Sequence, residues 1–206
     1  MTGPAFVYRE QQQRNIPIAS QLRRRRCAQS NGARALYLYA GGKDTLQVAR
    51  GARELLMDRS KGAQLRYVPL EDKASHLHSV ARIDEQALGV SREKHHRHLI
   101  NDSGIKGVIL YAEDDCVGYA YISPEGHIGP LGVMQPKVLG PAFNTALRLA
   151  AEVGSSHVSA FLPGTSDIAL RIAVDHGMRI TFPMVLVSTH DFGNWAQYLP
   201  RNPGFM

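Results

Sequence analysis

Four side chains between residues 119 and 127 can move protons: Tyr119, Tyr121, Glu125 and His127. Histidine titrates nearest to neutrality, so His127 has the better ordinary pKa for a general base, and Glu125 is the other candidate. Tyr119 and Tyr121 are the candidate proton donors, expected on alternate faces of one strand. The competing reading of His127 is a surface turn histidine, because a turn signal at Pro124–Gly126 stands beside it. A second group, Lys94-His95-His96-Arg97-His98, invites a metal reading. On a helix His95 and His98 share a face, yet no third ligand of suitable spacing follows, so a solvated helix face and no metal are expected. Cys27 and Cys116 have no C-x-x-C or zinc spacing. Cys27 follows the run Arg23–Arg26 and reads as a small helix-packing residue; a thiol of lowered pKa is the alternative.

Hydrophobic periodicity supplies the elements that must position these groups. Strands are expected at 6–8 and 35–39, with helices over 18–31 and 46–57. The polar stretch 58–62 reads as a linker. A second unit then opens with a strand at 65–70, a helix over 73–87 capped by Gly89, and a helix over 92–100. Residues 107–112 and 116–122 form a hairpin about the acidic turn at 113–115. A strand at 128–133, a helix over 140–153, a strand at 158–162, a helix over 168–176 and a strand at 180–188 complete it. The order β-α-α-β-β-β-α-β-α-β implies an α/β mixed sheet with helices on both faces. The first unit, β-α-β-α, resembles only the last half of the second, a degenerate internal repeat.

Composition narrows the class. The chain has 206 residues, 44% of them hydrophobic and 20% charged, enough to bury a core without disulfide or metal staples. Two cysteines suggest a reducing, cytoplasmic setting. No apolar run approaches the ~18 residues of a membrane span, and no membrane partner is expected. The formal charge is +6, unevenly placed: residues 1–61 carry 12 Lys/Arg against 4 Asp/Glu, whereas residues 62–206 carry 12 against 14. Such asymmetry marks an anion-binding surface or two modules of different origin. The arginines at 23–26 spread around a full helical turn and no aromatics interleave with them, so nucleic acid is not the expected partner.

Four stretches in this order resemble the GNAT acyltransferase family, specifically its tandem type: I-D-E-Q-A-L-G-V-S-R (83–92), G-Y-A-Y-I-S-P-E-G-H-I-G-P-L (118–131), P-G-T-S-D-I-A-L-R-I-A-V-D-H-G-M-R-I (163–180) and Y-L-P-R-N-P-G (198–204). Q-Q-R-N-I-P (12–17) sits where the family has Gln/Arg-x-x-Gly-x-Gly/Ala, with Asn15 and Pro17 in place of both glycines. The resemblance implies a GNAT-like mixed sheet flanked by helices in residues 62–206, preceded by a half GNAT-like β-α-β-α unit in residues 1–61. It implies acetyl-CoA as acyl donor and a small amine or peptide-like acceptor. The alternative is a catalytically degenerate GNAT-fold module that binds a ligand or a partner.

On this resemblance the cofactor's pantetheine arm lies along Leu131, Gly132 and Val133. Its pyrophosphate is placed at the helix-opening turn of Lys137, Gly140, Ala142 and Phe143, where glycine permits close approach and a helix N-terminus favours anions. Ser166 stands near the family's usual Asn. His127 or Glu125 becomes the base and Tyr119 or Tyr121 the acid, because the family's late-helix tyrosine position holds Ala173. Residues 12–20 keep donors at Ile16, Ile18 and Ala19, but Pro17 has none, so a decayed, ligand-free turn is the competing reading. A homodimer is expected, since a two-stranded unit of roughly 60 residues leaves open edges and a small core. The other solution is that its strands continue the sheet of residues 62–206.

Overall fold

The computed structural model describes residues 33–41, 65–153, 157–187 and 192–202. The strand expected at 6–8, the helices expected at 18–31 and 46–57, the 12–17 stretch, Arg23–Arg26 and Cys27 lie outside them. Strands β1 (Ala33–Gly41), β2 (Arg66–Pro69), β3 (Lys106–Ala112), β4 (Asp115–Ile122), β5 (His127–Val133), β6 (Ser159–Pro163), β7 (Arg179–Val187) and β8 (Tyr198–Leu199) form one sheet. Its order is β2-β3-β4-β5-β6-β1-β7, with β8 paired to β5. Helices α1 (Ala74–Leu88), α2 (Glu93–Asn101), α3 (Leu139–Glu152) and α4 (Asp167–Asp175) cover it. The architecture is the α/β mixed sheet expected from the sequence, and each element expected within 65–187 forms within two residues of its expected start.

The period-2 pattern of the strands explains the layers. Val108, Leu110, Ala120 and Ile122 join Phe143, Leu147 and Leu170 in one core cluster, beneath α3 and α4. Ile109, Tyr119 and Tyr121 point the other way, to Val80, Ile83 and Leu99 of α1 and α2. Helix α1 buries Leu77, Val80, Ile83, Asp84, Ala87 and Leu88, a stripe at helical spacing that contains one carboxylate. Helix α3 is buried from Leu139 to Ala150 on most of its circumference, which suits its Ala- and Leu-rich sequence. No helix among the described residues is long and apolar enough to cross a membrane.

Two strands depart from sequential order. β5 and β6 are parallel and pair only at His127↔Ser159 and Ile128↔Ala160, after which they part. β8 fills the vacated edge of β5, antiparallel, at Leu131↔Leu199 and Gly132↔Tyr198. β1 runs between β6 and β7, antiparallel to both, with Leu38 opposite Leu162 on one side and Pro183 on the other. A strand of the expected first unit therefore lies inside the sheet of the second. Of the two solutions for its open edges, this is the intrachain one.

A strand paired on both edges has no solvent-facing backbone edge. Leu38→Pro should therefore remove a ladder donor in a central position, at a cost of roughly 1–3 kcal/mol. A urea midpoint indistinguishable from that of the parent chain would show that β1 contributes nothing to the sheet.

Candidate functional site

Among the described residues, a connected group of polar side chains is buried between α1, α2 and β4. Asp84, fully buried on α1, is its hub. Arg92 Nε donates to Asp84 Oδ2 at 2.8 Å, and His96 Nε2 lies 2.9 Å from the same oxygen. Tyr119 Oη donates to Asp84 Oδ1, and Arg92 Nη2 donates to Tyr119 Oη at 3.2 Å. His96 Nδ1 lies 2.8 Å from Tyr121 Oη. A carboxylate that already holds an arginine only accepts, so Nε2 of His96 carries the ring proton and Nδ1 accepts from the Tyr121 hydroxyl. Arg92 also lies over the ring of Tyr198, 4.8 Å from its centroid.

Burial by itself would push Asp84 up, but hydrogen bonds from His96 and Arg92 outweigh it and hold the carboxyl below its ordinary value. Burial raises the tyrosine hydroxyls of Tyr119 and Tyr121, and the Asp84 charge raises them further. Each of these five side chains is held by at least one hydrogen bond within the set. It suits fixing a fold better than exchanging protons with solvent.

Tyr119 and Tyr121 were expected on alternate faces of the strand; the structure corrects this. Residues two apart on a strand share a face, and the two rings meet edge to face with centroids 5.9 Å apart. Asp84, Arg92 and His96 were missed as members of the cluster. The signal for His96 was present: it shares the inward stripe of α2 with Leu99, whereas His95 and His98 are exposed as expected of a solvated face. No group of three metal-ligating side chains occurs among the described residues.

His127 and Glu125 do not join this cluster. Arg201 O can only accept, so His127 Nε2 donates to it at 2.5 Å, and Nδ1 accepts from Ser159 Oγ at 2.8 Å. Burial pushes the imidazole pKa down. Both ring nitrogens thus serve a strut between β5, β6 and the C-terminal segment. Glu125 is exposed on the preceding turn, and a hydrogen bond from Ser123 holds its carboxyl below the ordinary range.

The residues expected to hold a cofactor are distributed around the parting of β5 from β6. Leu131, Gly132 and Val133 are buried on β5. Their register partners are Ala120, Tyr119 and Gly118 of β4 on one side. On the other, Leu199 and Tyr198 pair with Leu131 and Gly132, and Gln197 O accepts from Val133 N at 2.9 Å. Lys137 is exposed in the short 3-10 turn Pro136–Val138 that precedes α3. Gly140 packs on Ile168, and the side chains of Ala142 and Phe143 are fully buried in the main core. Ser166 caps the start of α4, 2% exposed, with no hydrogen-bond partner for its hydroxyl. An acyl-CoA arm needs an open strand edge and an accessible base. The edge here is taken and the imidazole is engaged on both sides, so these residues do not fit the cofactor in the gap.

No protein-family model matches the chain, and no curated protein matches it in sequence. Among solved structures it is similar to a putative acetyltransferase from Pyrococcus horikoshii, at 16% identity and a TM-score of 0.51 over 81% of this chain and 50% of that one. It is also similar to a conserved protein of unknown function from Staphylococcus epidermidis, at 12% identity and a TM-score of 0.50 over 84% of this chain and 67% of that one. A Drosophila melanogaster protein matches at 13% identity and a TM-score of 0.50, over 83% of this chain and 57% of that one. The chain spans about half the length of the first of these. The likeness is one of fold, and the fold is acetyltransferase-like.

Asp84→Asn would leave the Arg92 guanidinium buried without its counter-charge, which typically costs about 3–5 kcal/mol. The pH dependence follows from the depressed carboxyl. Its stabilisation is present above the ordinary value of 3.8 and is lost as pH falls through the lower folded value. The acid limb of an unfolding profile should accordingly be flatter in Asp84→Asn than in the parent chain. Parallel acid limbs would remove Asp84 as the titrating hub.

Proposed function

We propose that this protein serves acyl-CoA-dependent N-acetyl transfer, with acetyl-CoA as donor and a small amine or peptide-like molecule as acceptor. The observation that carries this reading is the sheet itself. It has an acetyltransferase-like order in which one parallel pair, β5 and β6, meets at two residue pairs and then parts. Helix α3 follows β5 after a short turn, as the end of a strand leading into a helix N-terminus does in many anion-handling folds. The cofactor itself does not fit the β5–β6 gap, so no step is routed through that place. A donor would then be held elsewhere; the Q-Q-R-N-I-P stretch at 12–17, which resembles the family's phosphate-binding turn with both glycines replaced, lies outside the described residues.

A second reading is a catalytically degenerate GNAT-fold module that binds a ligand or a partner. What favours it is the engagement of Tyr119, Tyr121 and His127 in structural bonds. The two readings separate in one pair of measurements. Under the first, millimolar acetyl-CoA raises the melting temperature, a ligand at 100 times its Kd adding about 2.7 kcal/mol, and CoA is released when a mixture of primary amines is supplied. Absence of both effects supports the degenerate module. Where transfer occurs, Glu125→Gln and Tyr121→Phe should leave its rate within about twofold, against the ~10²–10⁴-fold loss expected on removing a true base. A loss of that size in either variant would return the chemistry to the 119–127 region.

A further inference from the structure

We infer that the C-terminal segment Gln197–Arg201 permanently occupies the place a pantetheine arm would take beside β5, so that residues 62–206 exclude acyl-CoA from their own cleft. The inference rests on the acyl-CoA reading above, since it concerns where such a donor is held. Five consecutive residues of the segment lie along the edge that β5 exposes where it leaves β6. Gln197 O accepts from Val133 N at 2.9 Å, while Gln197 Nε2 donates to Val133 O at 3.1 Å and to Met134 O at 2.5 Å. Tyr198 and Leu199 continue the pairing opposite Gly132 and Leu131. Pro200 passes so close that a Cβ on Gly129 would stand 2.7 Å from its carbonyl oxygen, and Gly129 has φ +143, so a side chain there is excluded on both counts. Arg201 O closes the run on His127 Nε2.

Lids are drawn from segments with few buried contacts. This one is of the other kind. Tyr198 and Leu199 are fully buried, Leu199 within the main core and Tyr198 beside Ala87 and Leu88. Upstream, Asn194 N donates to Ala87 O at 2.5 Å, and Trp195 packs on the same small cluster. Arg92, held by Asp84, lies over the Tyr198 ring and ties the segment to the buried network. A pantetheine arm could replace some of the backbone bonds but not an aromatic ring beneath a buried guanidinium.

Hydrogen exchange on the full chain, with and without millimolar acetyl-CoA, tests this alongside a melting-temperature measurement of binding. Protection at Leu131–Val133 and Tyr198–Leu199 should be the same within about twofold in both conditions. Acetyl-CoA binding with unchanged protection supports the inference and the transferase reading together. Absence of binding leaves the cleft closed, as inferred, and removes the transferase reading. Acetyl-CoA-dependent release of residues 197–201, by tenfold or more in exchange rate, overturns the inference and leaves the transferase reading standing. Gln197→Ala gives a second arm, because it removes three side-chain bonds, to Val133 O, to Met134 O and from Asn194 Nδ2, and should speed exchange of the segment by at least about tenfold. Acetyl-CoA affinity should stay constant in that variant. If the segment were a displaceable competitor, affinity would rise by the factor by which the segment is loosened, and the inference would fall.

Discussion

A carboxylate taken out of water must be compensated by its partners, and Asp84 is the place where this fold meets that demand. An unpaired buried carboxylate costs several kcal/mol, so Asp84 can stay buried and ionised only if donors converge on it from several directions. Three do, from three places in the chain: Arg92 at the start of α2, His96 one turn into it, and Tyr119 from β4. The geometry of α1, the 89–92 loop, α2 and the sheet is thereby constrained at one point. The constraint spreads further through the tyrosines. Tyr119 lies over Gly132 and Tyr121 over Gly107, each its register partner on a neighbouring strand. A side chain at either glycine would put its Cβ 2.7 Å from the Tyr119 ring or 2.9 Å from the Tyr121 ring. Small residues on the flanking strands are thus a consequence of large ones on β4.

The same side chains that make this network could, in another setting, make an active site. Asp84, His96 and Tyr121 are linked in the order carboxylate, imidazole, hydroxyl, a sequence of groups familiar from nucleophile activation. Burial decides against that role here. Tyr119 and Tyr121 are fully buried and their hydroxyls are pushed upward, away from easy ionisation. A donor–acceptor chain with both ends closed has no substrate-facing atom, so its product is rigidity. His127 shows the same logic at the start of β5, where its two nitrogens are divided between Ser159 and Arg201.

What was legible in the sequence was local. Alternation in 107–122 gave the hairpin, and the apolar stripe of 77–88 gave α1, because periods of two and 3.6 are properties of short segments. The fold class followed from their order. What the sequence did not show was which side chains meet. His127 has the right ordinary pKa, but its neighbours in space, Ser159 and Arg201, are remote in sequence. Asp84 was hidden because a single acidic residue on an apolar stripe reads as a blemish until its three partners are seen. Arg92 and His96 stand one helical turn apart on α2, a spacing that would have located the cluster had inward polar residues been sought as a set.

Non-local strand pairing was the other thing no window could show, and it has a common cause. Backbone groups buried at strand edges must find partners, and a sheet whose central strands diverge creates edges that its nearest neighbours in sequence cannot fill. β5 and β6 part after Ile128 and Ala160, which opens an inner edge on β5; β8, from the far end of the described chain, fills it. β6 and β7 flank a second gap, and β1, from the opposite end, fills that one. Both insertions are antiparallel to the strands they complete, so each can satisfy an edge without a crossover helix. The two ends of the described chain are thus recruited to the middle of the sheet, and the segment that closes β5 does so where β5 leaves β6.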